Sequence, residues 1–516
     1  MGFLDDYFND PEHGGMFHAV SEDFKTVINS NKYAHDQFIA ARSSVIGAML
    51  THEPDTIREA EQAVTEVMQR FEDTSTGGYF SAADQQWQIV DSTKNLITAG
   101  ELFGVLMHLY EVSKNDNYLL KALDFLDITL TQAWDAPAGG FFSLYDREWK
   151  AASQIKDLAT QAGMLQHLNG SWKDGMDSPY GARSAIHRER AELFADLLLE
   201  RCKDRNNGGF FTHFTADWTP ITREKDVNSL ALFALALFFH YHTIGPSIWG
   251  PRKGSHAYTG RPYPATYSYR GPAPQNEPVS EKAYRFGKTV IAIADLLITN
   301  AWDGRYGGFY TSLTERYEPH ECTKQLQTQM SCLMALNVAY RLTGFKRFHQ
   351  KISEAVEVIE QHCFDPEHGG VYALFDRDWI PRCREKECGL NLMSMGILTM
   401  MNPVVHDCQV TRQSLMLWIE PSHITLRDGE GQCTITVQNQ GFELQRVRIG
   451  GLTSPSRWMH PAEVFVDLAP HEVKSFSITI QPPHAMPAGR YGFEITCMPE
   501  GELMDYVGAS GVVIIE

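Results

Sequence analysis

The sequence lacks the features that mark nucleic-acid-binding and membrane-spanning proteins. Acidic side chains outnumber basic ones by 64 to 45, so the formal net charge is −19 and the surface repels phosphate backbones and anionic lipids. No uncharged apolar run reaches 18 residues, and LALFALALFF at 230–239 predicts a buried helix rather than a membrane span. We therefore expect neither nucleic acid nor membrane as a partner.

Signs of secretion and of metal binding are also lacking. The first ten residues, MGFLDDYFND, have no basic start followed by an apolar run, and the nine cysteines form no Cys-x-x-Cys pair. These absences favour a reducing compartment and predict a cytoplasmic protein. Cys383 and Cys388, with Cys322 and His320 elsewhere, do not have the spacing of a zinc site. We expect no metal and no cofactor.

What the sequence does contain is a repeat. A glycine doublet followed one residue later by an aromatic residue occurs six times, at 14, 77, 139, 208, 307 and 369, with intervals of 63, 62, 69, 99 and 62 residues. A lysine lies 17 residues after the first glycine in five copies and 18 after it in the first: Lys32, Lys94, Lys156, Lys225, Lys324 and Lys386. Self-similarity at this spacing indicates a repeat architecture.

Each copy predicts an outer helix, a hairpin and an inner helix. The glycines permit backbone conformations closed to other residues, and the alternating residues after them suit a short β-hairpin. From each lysine onward apolar residues recur nearly all round a helix, whereas the stretch before each doublet, such as 347–365, has a charged face. Six such pairs bury their apolar faces by closing on one another. This predicts an (α/α)6 barrel over residues 1–405.

Two irregularities interrupt the repeat. Only GFLDDYF precedes the first doublet, so the sixth outer helix is reduced to a turn or two, which predicts a notch covered by another segment or by a second copy in a homo-oligomer. The fourth and fifth copies are separated by a Pro/Gly/Tyr-rich insertion at 245–280. Two interpretations of it stay open, a surface loop and a lid over the barrel mouth.

The pattern changes after Pro403. Short β-rich runs separated by turn signals follow, and they predict an immunoglobulin-like β-sandwich over residues 412–516. The seven runs are SLMLWIEP, QCTITVQN, ELQRVRIGG, EVFVDL, VKSFSITIQPP, RYGFEITCM and SGVVIIE.

The repeat units resemble a known family. DPEHGGVYALFDRDWIPRCREK (365–386) and DAPAGGFFSLYDREWKAASQIK (135–156) are similar to units of the N-acylglucosamine 2-epimerase superfamily, which includes cellobiose epimerases and mannose isomerases. The resemblance covers residues 1–405 and implies an (α/α)6 barrel with a sugar pocket at its mouth. It also implies an amide five residues after the lysine, which matches Gln37, Gln161, Gln329 and Asn391.

The family's reaction is not implied residue by residue. Its members abstract a proton beside a sugar carbonyl with histidines early on late inner helices, but the matching stretches here, 225–232 and 386–393, contain no histidine. The family's arginine position falls near Ile39, with Arg42 one turn further as a loose substitute, and its glutamate position falls at Ser331.

The first turns of the inner helices supply the candidate site. His35 can exchange a proton near neutral pH, and Glu101, in an otherwise apolar helix, must be paired or line a cavity. We predict these two as the catalytic pair; a packed or solvated His35 is the alternative. Amides suit sugar hydroxyls and aromatic rings suit the CH face of a sugar. The predicted binding residues of a small, sugar-like substrate are Gln37, Arg42, Gln161, Asp226, Gln329, Glu387, Asn391, Phe142, Phe211, Tyr310 and Tyr372.

Three functions stay open on the sequence alone. The first is a sugar isomerase or epimerase with a rearranged acid/base pair. The second is another chemistry on the same barrel, namely a glycoside hydrolase or lyase with paired carboxylates, or a cyclase of an apolar substrate. The third is a non-catalytic binding or scaffold protein. For the six lysines we expect a bracing role, paired with aspartates that lie just before the glycine doublets.

Overall fold

The structure of the chain is a computed structural model. It describes residues 7–51, 53–175, 180–244, 281–343 and 346–406, followed by 415–421, 423–426, 429–439, 444–451, 458–469, 472–482, 488–499 and 507–515. The insertion at 245–280 that the sequence suggests as a lid lies outside the described residues.

Helices of two kinds alternate along the first 406 residues. The inner helices begin two residues after each lysine: α1 (Ala34–Thr51), α3 (Leu96–Ser113), α5 (Leu158–Gly175), α7 (Val227–Ile244), α9 (Leu326–Thr343) and α11 (Cys388–His406). The outer helices precede the hairpins: α2 (Pro54–Phe71), α4 (Asp116–Gln132), α6 (Gly181–Arg201), α8 (Glu281–Leu296, continued by a π-helical turn) and α10 (Lys346–His362). This is the predicted alternation.

The inner helices form a closed ring. Each packs against the next along the chain, and the last, α11, packs against the first, α1. The outer helices pack against the inner ones, and one continuous hydrophobic core runs through the helical region. The predicted closure of the repeats on one another is therefore present.

Short strands fasten each repeat to the next. They are β1 (Ala19–Val20), β2 (Val27–Asn29), β3 (Lys32–Tyr33), β4 (Ala82–Ala83), β5 (Ile89–Asp91), β6 (Lys94–Asn95), β7 (Leu144–Tyr145), β8 (Lys156–Asp157), β9 (His213–Phe214), β10 (Lys225–Asp226), β11 (Ser312–Leu313), β12 (Pro319–Glu321), β13 (Lys324–Gln325), β14 (Leu374–Phe375) and β15 (Lys386–Glu387). Each lysine-bearing strand pairs antiparallel with the hairpin of the following repeat. The last, β15, pairs with β1 of the first repeat, and Val20 lies opposite Lys386. We call this junction the closing seam.

The glycine doublets are required by contacts between repeats. Both glycines of every doublet have φ between +64° and +84°, which L side chains rarely adopt. An aromatic residue of the next hairpin lies against the second glycine, so a Cβ on Gly15 would stand 2.5 Å from Trp87 and one on Gly140 would stand 2.5 Å from Trp218. The Trp87 Nε1–H donates to the His13 carbonyl at 2.9 Å. At the closing seam Phe24 takes this place against Gly370.

A buried ion pair lies beneath each hairpin. Lys225 Nζ is 2.6 Å from the carboxylate of Asp204, and both side chains are buried. Burial lowers the pKa of Lys225, and the bond from Asp204 opposes that effect. The other pairs are Lys32–Asp10, Lys94–Asp73, Lys156–Asp135, Lys324–Asp303 and Lys386–Asp365, at 2.6 to 3.3 Å. The bracing role expected for the six lysines is thus seen in all six repeats.

The first repeat has little of its outer helix in the described part of the chain. Before the first doublet that part holds two helical residues, Tyr7 and Phe8. Phe8 packs in a small cluster with Ile39 of α1 and Leu392 of α11. Beside it, a cavity of about 440 Å³ opens between the first hairpin, α1 and α2. Within the described residues this part of the outer ring therefore holds less helix than the other parts.

The C-terminal region forms two β-sheets that share one core. Its strands are β16 (Leu415–Glu420), β17 (His423–Thr425), β18 (Gly431–Asn439), β19 (Gln445–Gly451), β20 (Met459–His460), β21 (Glu463–Leu468), β22 (Val473–Ile480), β23 (Gly489–Pro499) and β24 (Val507–Ile515). One sheet has the order β16-β18-β22-β20 and the other β17-β24-β23-β19-β21. Seven of these strands coincide with the predicted runs, whereas β17 and β20 were not anticipated. The β17–β24 pair is parallel.

No described helix combines the length and the apolar character needed to cross a bilayer.

The first hairpin offers a matched test of the doublet. Gly14→Ala meets no atom within 4 Å, so it should cost only the left-handed backbone penalty, about 1–2 kcal/mol. Gly15→Ala has the same penalty and also displaces Trp87, which should add about 1–3 kcal/mol. Chemical denaturation of the two variants measures the difference. Equal costs would contradict the proposed contact between repeats.

A second pair of variants tests the brace. Lys225→Met leaves the buried Asp204 carboxylate without its partner, so we expect a loss of about 3–5 kcal/mol. Arg223, two residues earlier, pairs with Glu315 in solvent, and Arg223→Met should cost less than about 1 kcal/mol. The unfolding free energies of both variants, measured in urea, decide between a brace and a lysine that contributes little.

Candidate functional site

One face of each inner helix lines the centre of the ring, which we call the lumen. Residues that keep some exposure recur at three, seven and ten positions after the lysine, as in Ile97, Glu101 and Gly104 of α3, while most of the intervening residues are buried. Each offset has one buried exception among the six helices: Gly389 at three, Ile39 at seven and Leu235 at ten. Steps of three and four residues keep to one side of a helix, so these positions define the lumen wall.

The four amide side chains that lie five residues after a lysine point away from the lumen. Gln161 accepts from the Phe141 N–H at 2.9 Å and donates to the Phe141 carbonyl at 2.7 Å. Gln37 holds Met16 in the same way, and Gln329 holds Phe309. Asn391 accepts from the Val371 N–H. All four side chains are buried, and their groups are used by the hairpins. These amides therefore hold the hairpins, and the substrate-binding role of Gln37, Gln161, Gln329 and Asn391 stays a prediction.

The aromatic residues that were expected to line the pocket lie against the buried lysines. Each ring of the set lies beside the lysine of its own repeat: Phe142 by Lys156, Phe211 by Lys225, Tyr310 by Lys324 and Tyr372 by Lys386, at 3.5 to 5.7 Å from Nζ to ring centroid. Such cation–π contacts stabilise a buried ammonium. These four rings therefore contact the lysines, and their role in contacting substrate stays a prediction.

Asp226 caps a helix. Its carboxylate accepts from the Ser229 N–H at 2.7 Å, at the start of α7. The same cap is made by Asp157 and Asn95 on their own inner helices. Asp226 keeps partial exposure at the rim, so capping is the role that the structure gives it.

Two ionisable side chains pair on adjacent inner helices, and a third lies near them on the next inner helix. Arg42 of α1 donates from Nη1 to Glu101 Oε2 of α3 at 3.1 Å, and His167 of α5 lies within electrostatic reach of both. Each is unusual for its place in the repeat. Ten residues after the lysine, the other copies have Gly104, Gln166, Leu235, Met334 and Gly396 where the first has Arg42. Seven residues after it, the copies other than that of Glu101 have Ile39, Gly163, Leu232, Ser331 and Met393. Eleven residues after it, the copies other than that of His167 have Ser43, Val105, Ala236, Ala335 and Ile397.

The His167 ring is neutral at physiological pH. Burial lowers its pKa to about 4, and the positive charge of Arg42 acts in the same direction, while Glu101 opposes them. The ring packs against Phe103 and lies where a Cβ on Gly100 would stand, so a glycine at that position makes room for it. A neutral imidazole of this kind can polarise a carbonyl without carrying charge.

The predicted pair of His35 and Glu101 is not in contact. Among the described residues no hydrogen bond or ion pair joins them, and the partner of Glu101 is Arg42. His35 is three residues after its lysine, at the mouth of the lumen, next to Gly389 of α11. Glu387 lies at the same rim, where it acts electrostatically on His18.

A second ionisable pair, which sequence reasoning missed, occupies this rim. His18 Nδ1 is 2.7 Å from Asp36 Oδ2, on the side of α1 that faces the closing seam. Burial acts to lower the pKa of His18, but the bond and charge of Asp36, with Glu387 and Glu385, outweigh it and raise the pKa. His18 lies in a hairpin and Asp36 in a helix, so helical spacing gave no signal. Comparing each position across the six copies would have found both residues.

One further cluster has the residue types of a metal site. Ligand atoms of Glu22, Asp365 and His368 lie within 4.8 Å of one another. Arg384 is 2.7 Å from Glu22 and Lys386 is 3.0 Å from Asp365, so both carboxylates already have cationic partners. This cluster fits an ion-paired seam better than a bound cation.

Comparison with known proteins agrees with the resemblance found in the sequence. The family model of N-acylglucosamine 2-epimerase (GlcNAc 2-epimerase) matches residues 1–164. The resemblance to this superfamily is confirmed. The superfamily match spans the first two complete repeats, which contain His18, Asp36, Arg42 and Glu101.

Solved structures share the fold at low sequence identity. A D-mannose isomerase is 15% identical with a TM-score of 0.61, covering 79% of this chain and 95% of that one. A cellobiose 2-epimerase from Bacillus thermoamylovorans B4167 is 14% identical with a TM-score of 0.60, covering 77% and 94%. A family 76 glycoside hydrolase (mannosidase) from Bacteroides thetaiotaomicron VPI-5482 is 10% identical with a TM-score of 0.52, covering 79% and 96%. At these identities the likeness supports the (α/α)6 barrel of the superfamily.

The half-buried imidazole of His167 predicts a pH dependence of stability. The pKa of His167 is about 4 in the folded state, below the ordinary 6.5. Between these values the unfolded chain binds a proton that the folded chain does not, so His167 makes the protein less stable as pH falls from about 6.5 towards 4. His167→Asn should therefore gain thermal midpoint relative to the wild type between pH 7 and pH 5. A constant difference between the two proteins would contradict burial of the neutral ring.

Proposed function

We propose that this protein is a carbohydrate-active enzyme that interconverts an aldose and a ketose by moving a proton within the lumen. The observation that carries the proposal is the Arg42–Glu101 ion pair with His167 in electrostatic reach of it, at positions where the other repeats have no ionisable residue. A repeat that needs only packing gives no reason for three such exceptions on neighbouring helices. The D-mannose isomerase and cellobiose 2-epimerase among the structural relatives support sugar as the substrate class.

The three residues fit distinct roles in this chemistry. Glu101 is the base that takes the proton from the carbon beside the sugar carbonyl and returns it to the former carbonyl carbon. Arg42 holds the Glu101 carboxylate in place and offers its remaining N–H groups to the substrate oxygens. The neutral imidazole of His167 donates a hydrogen bond to O1, on which negative charge develops, and the proton of the O2 hydroxyl passes to O1 as C2 becomes the carbonyl. The negative charge that develops on the substrate oxygen is thus stabilised by Arg42 and His167, which are in place before the substrate binds.

The number of carboxylates favours an isomerase over the other chemistries. At three, seven and ten residues after the lysines, Glu101 is the one carboxylate among the described lumen residues. A single base can move a proton between neighbouring carbons on one face of an enediol, whereas inversion at one carbon needs a second group on the opposite face. Glycoside hydrolysis uses two facing carboxylates. We therefore place isomerisation before epimerisation and hydrolysis, and before a purely binding role.

The finer features predicted from the sequence are kept as part of this proposal. They are a cytoplasmic location, an immunoglobulin-like topology for the C-terminal sheets, and association of two copies through the thin part of the outer ring. The 440 Å³ cavity beside α1 and α2 supports the last of these, because it leaves helix surface uncovered.

Isotope exchange tests the function directly. Wild-type protein is incubated in deuterated water with mannose, glucose, fructose and disaccharides, and proton NMR follows loss of the C2 or C1 signal and appearance of the isomer. Glu101→Gln should lose about 100-fold or more in rate, because general-base catalysis contributes about 10²–10⁴. Glu66→Gln, an exposed carboxylate of α2, is the control and should keep the wild-type rate.

Either of two results would reject the proposal. One is the absence of both deuterium exchange and isomer formation with every sugar by the wild type. The other is exchange by Glu101→Gln at the wild-type rate.

A further inference from the structure

At the closing seam, both residues of one contact, His18 and Asp36, differ from the residues at the same positions of the other copies. Four residues after the first glycine, the copies have His18, Ser81, Ser143, Thr212, Thr311 and Ala373. The hydroxyls at this position bond within their own hairpin region, as when Thr311 Oγ1 donates to the Thr323 carbonyl at 2.8 Å. Four residues after the lysine the copies have Asp36, Thr98, Thr160, Ser229, Thr328 and Leu390. At both places the first copy has an ionisable residue where the other copies have an uncharged one.

The geometry leaves one nitrogen of His18 for a ligand. An ionised carboxylate only accepts, so the 2.7 Å contact with Asp36 places a proton on Nδ1. Nε2 has no hydrogen bond to any residue in the described ranges. The ring lies 4.4 Å from the ring of Tyr33, which fixes its plane. The Asp36 side chain is 5% exposed, whereas that of His18 is 28% exposed, so the carboxylate is enclosed and the imidazole reaches solvent.

The seam also makes room for this pair beside the lumen. Gly389 stands three residues after its lysine, a lumen-wall position that the other copies fill with larger residues such as Ile97 and Gln327. A Cβ on Gly389 would collide with Asp36 Oδ1 and approach His35. The glycine therefore allows Asp36 to sit at the mouth of the lumen, between α1 and α11.

The groups that face His18 from the surrounding elements are anionic or neutral. Asp36 approaches from α1 and Tyr33 from β3, while Glu387 and Glu385 act from the strand across the seam. The pKa of His18 is raised, because these carboxylates outweigh the burial that acts to lower it. The imidazolium form consequently persists to higher pH than in an ordinary histidine.

We propose that His18, oriented by Asp36, is a general acid that opens the sugar ring at the mouth of the lumen. This inference rests on the proposed function, because isomerisation acts on the open-chain sugar. The Nε2 proton passes to the ring oxygen as the bond between C1 and that oxygen breaks. The O1 hydroxyl loses its proton to water as C1 becomes a carbonyl, and solvent returns a proton to His18. The open chain then meets Glu101 deeper in the lumen.

The repeat itself supplies the variants for a test. His18→Ser and Asp36→Thr each install a residue that the chain already uses at the same position of other copies. His13→Ser is the matched control, since His13 also lies near a carboxylate, 3.6 Å from Asp10, and is 31% exposed, but it lines the cavity beside α1 and α2. Isomerisation is measured with mannose and with glyceraldehyde, a sugar too short to close a five- or six-membered ring.

We expect His18→Ser to lose about 100-fold or more in kcat with mannose and to keep the wild-type rate with glyceraldehyde. His13→Ser should keep both rates. In Asp36→Thr the pKa of His18 is no longer raised by the carboxylate, so the fall of the mannose rate on the alkaline side should move to lower pH.

Several results would overturn the assignment. If His18→Ser keeps its rate with mannose and only its thermal midpoint falls, the pair is a brace of the seam. Equal loss with both substrates would show a damaged lumen rather than a missing ring-opening acid. An alkaline limb that does not move in Asp36→Thr would contradict the orienting role. If the wild type turns over no sugar at all, the proposed function and this inference are both rejected, whereas wild-type turnover with a fully active His18→Ser rejects this inference alone.

Discussion

The helical ring depends on a lysine ammonium buried against an aspartate beneath an aromatic ring. Lys225, Asp204 and Tyr317 show the arrangement, with Tyr317 supplied by the hairpin of the following repeat. A charge enclosed in this way is tolerated only when the partner carboxylate and the ring are both in place. The pair therefore links two repeats as well as one hairpin to its helix. The glycine doublet follows from the same constraint, because the aromatic side chain that covers the lysine also lies against the second glycine.

Much of the ring could be predicted from the sequence because its strongest signals are local. Gly140, Lys156 and Asp135 stand at nearly fixed offsets in every copy, and the change from alternating to helical apolar spacing marks where each inner helix begins. The β17–β24 pairing is different, since it joins residues about ninety positions apart and β17 is three residues long. Nothing in so short a run distinguishes a strand from a turn.

The candidate site was harder to predict, because the distance of a residue from its lysine along the sequence does not show which way its side chain points. Gln161 and Gly163 are two residues apart on α5, which places them about 200° apart around the helix, so one holds a hairpin and the other lines the lumen. Glu101 and Arg42 were recognised as polar residues on apolar helices, but their pairing required the distance between helices. His167 lies beyond the first two turns, and for that reason a search confined to helix starts omitted it.

The closing seam has a consequence for how the chain reaches this fold during synthesis. Val20 pairs with Lys386, and Phe24 rests on Gly370, so the first hairpin has its partners near the far end of the helical region. On the ribosome the first five junctions can assemble in order as each repeat emerges, but the sixth must wait for almost the entire helical region to be translated. Until then the nascent protein is an open arc whose two ends both present unpaired strands, and a chaperone that shields those ends would act before release and not after it.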